Sequence, residues 1–384
     1  MSTILLTGAT GLVGSSLTPL LQERGDRILY LVRRSGAEGG VTRLMKAIGH
    51  LRTEDIVLEG DVTLPWGGLK AEQRREWRGQ VDLIIHSAAS TKFDDRVAEE
   101  TREINVGGTE TMLQIASDLE VPEFHFVSTS YVAGNSVDMG EDLLDLGQLP
   151  RNAYERSKIT AERLVRAWRG GRFSIYRPSI VVGESKSGVV ASFSGYYGFF
   201  ISFWRLLASL REKWKNSQAE CEALGIRFNG GVLEIPLHVD CSSTSTINLV
   251  PIDWLSETIT ELVGIPASGM TFNLTHPSPP RVRWVIDESM RYLGFTGLSY
   301  GDDPRSDQSP FVARIQASLE RQLERYSCYV QHEPIFKSDN LRRVLGESYR
   351  VAPEISPGFL ETLLAYAVER DFGRAREERV RLTA

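Results

Sequence analysis

The chain has 384 residues, 41% of them hydrophobic and 24% charged, and a formal net charge of −6. That is an ordinary globular composition, long enough for one elaborated domain or two lobes, and its acidic balance excludes a general nucleic-acid binder. Cys221, Cys241 and Cys328 sit at no metal-ligand or disulfide spacing, which fits a reducing compartment. No run reaches the roughly 18 apolar residues of a membrane span; the nearest, 195–210, is broken by Arg205. The start, MSTILLTGAT, lacks the basic region of a signal peptide, so a cytoplasmic place is expected.

Residues 3–35 read as strand, tight turn, helix, strand. The turn, Thr7-Gly8-Ala9-Thr10-Gly11-Leu12-Val13-Gly14, places glycines where a backbone must bend, approach a phosphate and pack a helix on a strand. The helix start offers free N–H groups to a pyrophosphate. Pro19 is expected to kink that helix mildly, and Gly25 to end it. The second strand, RILYLV, ends in Arg33 and Arg34. Two guanidinium groups suit a 2′-phosphate, where an NAD site would carry an acid for the ribose hydroxyl. NADPH is therefore the expected cofactor.

Further along, NAYERSKITAERL (152–164) puts Tyr154 and Lys158 four residues apart, on one face of a helix. Spacing alone leaves open whether they are surface decoration or a proton donor with its partner.

The motifs around them, in their order, resemble the extended short-chain dehydrogenase/reductase family. EGDVT carries Asp61 and Val62, which that resemblance places at the adenine. VDLIIHSAAS ends a buried strand in Ser87, Ala88 and Ala89, small residues that let the cofactor pass. INVGGTETML supplies Asn105, similar to the family's structural Asn. FHFVSTSYVAG aligns Thr129 with the catalytic Ser/Thr, ahead of its rivals Ser128 and Ser130. Pro178, Ser179 and Ile180 of YRPSIVVG resemble the segment beside the nicotinamide. By this resemblance Thr129, Tyr154, Lys158 and Asn105 form the catalytic set. Tyr154 acts as the acid, its pKa lowered by the Lys158 ammonium. One branch, the thioester and fatty acyl-CoA reductases, is the most similar, through GDVTLPWGGL, Phe93 after the Ala-Ala pair, RPSIVVGESKSG and NLVPIDWLSETI. The likeness covers residues 3 to about 275. Two departures are noted. The chain starts on the first strand with no adenylation or carrier domain attached, and it is short between Arg34 and Asp61.

After Gly183 the strand–helix alternation fades. Residues 193–216 read as a helix with Phe193, Tyr196, Tyr197, Phe200, Trp204 and Leu207 on one stripe, widened by Phe199 and Phe203. The readings are a core or dimer helix, the wall of an acyl tunnel, or a membrane-touching patch with Arg205, Arg211, Lys213 and Lys215 at its polar end. Residues 245–259 should return to the nucleotide lobe as strand and helix, TFNLTHP is another short strand, and 306–345 look mostly helical. The histidines 86, 125, 238, 276 and 332 form no metal pattern, and 373–384 read as a frayed tail.

The expected fold is α/β, a Rossmann doubly wound parallel sheet with a smaller, mostly helical substrate lobe. Residues 1–183, joined by 245–262, form the nucleotide domain; 184–244 and 263–384 form the lobe. The expected activity is NADPH-dependent reduction of an acyl thioester, acyl-CoA or carrier-bound, to an aldehyde or an alcohol, with a carrier protein as a possible partner and no metal. The alternatives are oxidation or reduction of a bulky apolar alcohol or ketone of 3β-hydroxysteroid type, and a nucleotide-sugar epimerase or dehydratase.

Overall fold

The computed structural model describes residues 1–266, 269–301, 303 and 307–373. All of the expected tail but Gly373 lies outside them. The chain divides into two compact units, Met1–Val181 with Val250–Pro277 and Pro334–Ala352, and Val182–Leu249 with Ser278–Glu333 and the residues from Pro353 on.

The first unit is built on seven strands: β1 Thr3–Thr7, β2 Arg27–Val32, β3 Ile56–Glu59, β4 Leu83–His86, β5 Glu123–Val127, β6 Arg172–Pro178 and β7 Met270–Leu274. Their order is β7-β6-β5-β4-β1-β2-β3 and every pairing is parallel. The order reverses between β1 and β4, so the crevice for a ligand lies at the carboxyl ends of those strands. Alternation decides the two cores. Ile4, Leu6, Ile28 and Tyr30 point to one face, with Leu17 and Leu21 of helix α1 (Leu12–Glu23). Leu5, Leu29, Ile84 and Phe124 point to the other, with Met112 and Ile115 of helix α3 (Gly108–Asp118) and Val165 of helix α4 (Ala153–Ala167). Because both faces are covered, the central strands are mostly apolar, with buried polar groups such as Arg177 and Asn273 toward the β6–β7 edge. Helix α2 (Gly40–Ile48) follows β2, and α1 runs on through Pro19 to Glu23.

Two segments given to the second lobe by the sequence reading belong here. Strand β7 completes the sheet against β6. Residues 334–352 return as a two-residue strand, Ile335–Phe336, paired with Asp138–Met139, and helix α9 (Asp339–Leu345), with helices α5–α8 lying between in the chain (α6, Ile252–Val263, in this unit; the others below). Glu141 holds that return. Its buried carboxylate accepts the N–H groups of Asn273, Asn340 and Leu341, at the start of α9. Pairings this short leave no periodic trace in a sequence. Conversely, 245–249 fall in the second unit.

The second unit is mostly helical: α5 Tyr196–Asn216, α7 Val282–Leu293, α8 Pro310–Gln331 and α10 Pro357–Glu369, with short strands such as Arg227–Asn229 and Val232–Glu234. Helix α5 starts after Gly195, whose φ is +57°, three residues later than the stripe implied. Its aromatic rings form the core of this unit. Tyr196 and Phe200 are 4.9 Å apart, Phe199 and Phe200 5.1 Å, and Phe203 meets Phe295 at 5.8 Å. Three of the four basic residues at its polar end are engaged: Lys213 with Glu220, Lys215 with Glu212, and Arg211 with the Gly231 carbonyl.

Candidate active site

Every group of the candidate site in the first unit hangs from the carboxyl end of a sheet strand or from the helix that follows it. After β1 the chain turns at Gly8, with φ +77°. A methyl group there would lie 2.6 Å from the Ala88 nitrogen, and one on Gly14 would lie 2.3 Å from the Gly8 oxygen. The turn therefore needs glycine at both places. Gly11 is the N-cap of α1, with no side chain over the helix end. Leu12 and Val13 pack on the core, and Thr10 flanks the turn, half-buried. The residues present fit a dinucleotide pyrophosphate at this bare helix start.

At the end of β2, Arg33 and Arg34 are exposed. Arg34 reaches Glu59 at 3.4 Å, and Glu59 also accepts the Gly40 N–H at 2.7 Å. Arg43, on α2, donates to the Arg33 carbonyl at 2.5 Å. This third guanidinium was missed from the sequence. Only the fold of α2 back beside β2 reveals it. Beyond β3, the Asp61 carboxylate accepts the N–H and hydroxyl of Thr63, while Val62 is buried against Gly108.

After β4, Ser87 and Ala88 are half-buried and Ala89 is exposed. The Ala88 N–H donates to the Thr7 hydroxyl at 3.2 Å, and that hydroxyl meets Nδ1 of His86 at 2.8 Å. Nε2 of His86 lies 3.3 Å from the Thr109 hydroxyl, which donates to the Asn105 carbonyl at 2.7 Å. The Thr109 proton being used there, Nε2 must carry the imidazole proton and Nδ1 must accept from Thr7. Burial, and then the charge of Lys158, push His86 down to about 3, so it is neutral. It is the satisfied structural histidine that the sequence reading expected, and it ties the glycine turn to Asn105.

Asn105 lies in a π-helical turn, Glu103–Gly107. Its amide oxygen accepts the Ser90 N–H at 2.7 Å. Its nitrogen donates to the Ser90 carbonyl at 2.9 Å and to the Ser157 hydroxyl at 2.8 Å. Its side chain thus locks the loop after β4 to α4, where Ser157 in turn bonds the Tyr154 carbonyl at 2.7 Å. The expected catalytic role of Asn105 becomes one of positioning.

Helix α4 is capped by Asn152, which accepts the Glu155 N–H at 3.0 Å. Tyr154 sits in its first turn, half-buried, with its ring 5.7 Å from that of Phe93. Thr129 lies close enough to the phenol to favour its charged form, and its hydroxyl donates to the Pro178 carbonyl at 3.4 Å. Its two rivals face elsewhere. Ser128 is buried and lowers the pKa of the buried Glu162, and Ser130 is fully buried. Ser179 and Ile180 follow Pro178, Ser179 buried and bonded to the Leu274 carbonyl at 3.3 Å. The Lys158 ammonium donates to the Val127 carbonyl at 2.7 Å and stands 4.2 Å over the Phe126 ring.

The electrostatics differ from expectation in one respect. Burial pushes the Tyr154 phenol up to about 12, against a lowering from Thr129, with Glu155 adding to the rise. Lys158 does not lower it, because its head is drawn to the Val127 carbonyl. Burial also pushes Lys158 down to about 7, against the pull of Glu162. Among the described residues no cluster of His, Cys, Asp or Glu could hold a metal, and no helix is long and apolar enough to cross a membrane.

A parallel sheet with this strand order, a glycine turn at its first helix and a Thr–Tyr–Lys set behind it defines an oxidoreductase of the extended short-chain dehydrogenase/reductase class. The family described as Male sterility protein, an NAD-binding family, matches residues 6–259, and the chain belongs to it. Among relatives, a linear gramicidin synthase of Brevibacillus parabrevis is 34% identical over 200 residues, 48% of this chain and 4% of that protein. Glycine betaine reductase ATRR of Emericella nidulans is 28% identical over 315 residues, 76% of this chain and 22% of that one. The chain thus spans about a fifth or less of the length of these relatives. Among solved structures, the terminal R domain of the myxalamid PKS-NRPS pathway superposes with a TM-score of 0.75 at 24% identity, covering 97% of this chain and 92% of that one. The reductase domain of a nonribosomal peptide synthetase from Mycobacterium tuberculosis gives 0.67 at 18%, with the same coverages.

Proposed function

We propose that the protein is an NADPH-dependent reductase of acyl thioesters, releasing an aldehyde and a free thiol. The observation that carries this reading is Thr129 set beside the Tyr154 phenol, with Lys158 one helical turn on, in a chain whose relatives include reductase domains of peptide synthetases. The glycine turn holds the pyrophosphate, Arg33 and Arg34 the 2′-phosphate, Asp61 and Val62 the adenine, and Ser87–Ala89 with Pro178–Ile180 line the cofactor's path. Bound there, the cofactor supplies hydride to the carbonyl carbon.

The chain's own groups handle the oxygen and the proton. Thr129 and Tyr154 donate hydrogen bonds to the carbonyl oxygen as it gains charge. A phenol held near 12 stays protonated at neutral pH, which suits a donor in the reductive direction. Lys158, whose ammonium donates to the Val127 carbonyl, would hold the nicotinamide ribose. Collapse of the thiohemiacetal breaks the C–S bond and returns a proton to the thiol. The relatives' setting points to a carrier-bound thioester, with coenzyme A as the other thiol, and the three cysteines, none of them in a disulfide among the described residues, suit a cytoplasmic location.

The test is NADPH consumption against a panel of acyl-CoA and carrier-bound thioesters, ketosteroids and UDP-sugars, with mass analysis of products. Thioesters are expected to be reduced, and Tyr154→Phe to lose about 10² or more in turnover with cofactor binding intact. Turnover of ketosteroids or UDP-sugars alone, or a Tyr154→Phe enzyme of normal rate, would reject the reading.

A further inference from the structure

The segment between β4 and the short helix Ala98–Arg102 crosses the start of α4 and is tied down at three points. Ser90 is held by both polar atoms of the Asn105 side chain, and its hydroxyl meets that of Thr101 at 3.3 Å. Phe93 lays its ring against Tyr154. Asp95 accepts the N–H of Ala153, the residue before Tyr154, at 3.1 Å. The neighbouring carboxylate, Asp94, is used within the segment itself, on the N–H and guanidinium of Arg96.

The first N–H groups of a helix have no partner inside it. In α4, Asn152 covers that of Glu155, and Asp95 covers that of Ala153 from 58 residues away in the chain. The two caps together fix the turn on which the phenol stands. We propose that Asp95 is a positioning residue for Tyr154: its bond to Ala153 fastens the Phe93 segment to the first turn of α4, so that the phenol and the apolar ring beside it hold one geometry toward the substrate carbonyl. This rests on Tyr154 being the proton donor. Asp95 is exposed on its outer side, so its replacement leaves the core intact.

The experiment compares Asp95→Ala, Asp95→Asn, Tyr154→Phe and the Asp95→Ala/Tyr154→Phe double variant, with Lys92→Ala as a control in the same segment. Activity is NADPH oxidation with the thioester of the panel that wild type reduces fastest, and hydrogen exchange reports the Ala153 amide. Losing a cap of this kind should lower kcat of Asp95→Ala about five- to tenfold, leave the KM for NADPH unchanged and speed exchange at Ala153. Asparagine keeps an oxygen acceptor and should recover most of the loss, and Lys92→Ala should match wild type. In the Tyr154→Phe background Asp95→Ala should cost nothing more, because the group it positions is gone. A wild-type kcat in Asp95→Ala, no recovery by asparagine, or a full additional loss in the double variant would overturn the proposal while leaving the reductase reading in place. Normal turnover in Tyr154→Phe would overturn both.

Discussion

Arg177→Met tests the support behind the catalytic helix. Arg177, on β6, and Glu162, on α4, are both fully buried. The guanidinium meets the carboxylate with two bonds, 2.9 and 2.7 Å, and also donates to the Leu143 carbonyl at 2.8 Å. Burial alone would push Glu162 up, but Arg177 holds it below the usual carboxylate range, with Ser128 and Arg166 adding to this. Removing the arginine leaves a carboxylate out of water with Arg166, 3.7 Å away, and the Lys158 ammonium as cationic neighbours. Breaking such a pair costs about 3–5 kcal/mol. At about 2–4 °C per kcal/mol for a domain of this size, melting should fall on the order of 10 °C. The loss should shrink below neutral pH as Glu162, freed of Arg177, takes up a proton. Glu162→Leu/Arg177→Met, with no stranded charge, should recover most of it. The assay is urea and thermal unfolding followed by tryptophan fluorescence. A single variant within about 1 kcal/mol of wild type, or a double variant no better than the single, would refute the reasoning.

Arg33→Ala/Arg34→Ala should cut kcat/KM for NADPH by about 10- to 100-fold, the worth of hydrogen bonds to a charged group, and leave NADH unchanged; equal losses with both cofactors would reject the 2′-phosphate assignment. His86 predicts the acid limb of stability. Its native pKa is about 3 against about 6.5 unfolded, so below pH 6.5 the unfolded chain takes a proton that the native state refuses. Stability from this group is complete above 6.5 and is lost as pH falls toward 3, by about 1.4 kcal/mol per pH unit. His86→Gln should be less stable at pH 7 yet lose stability less steeply between pH 6 and 4; parallel curves in urea titrations at each pH would refute it.

The parts legible in the sequence were those with a local signature. The glycine turn, the alternating strands and the i,i+4 placement of Tyr154 and Lys158 follow from backbone geometry within a few residues. What was not legible depends on distant meetings. Arg43 stands ten residues after Arg33, and helix folding alone brings it back. Asp95 and Ala153 meet across 58 residues. Lys158 spends its charge on a carbonyl of a neighbouring strand, which no spacing rule foretells. The aromatic stripe of α5 was visible as a stripe, but periodicity reports that a face is covered and is silent on what covers it.

The three-part make-up of the first unit bears on how the chain acquires its shape. Its last contribution, 334–352, is separated from the partner strand at Asp138–Met139 by almost two hundred residues. A ribosome has therefore released most of the second unit, all but the part from Pro353 on, before Glu141 meets the helix that it caps. Such distant closures are slow because chain entropy is surrendered before any contact compensates. Until then Glu141 and the backbone N–H groups of Asn340 and Leu341 that it accepts are left to water.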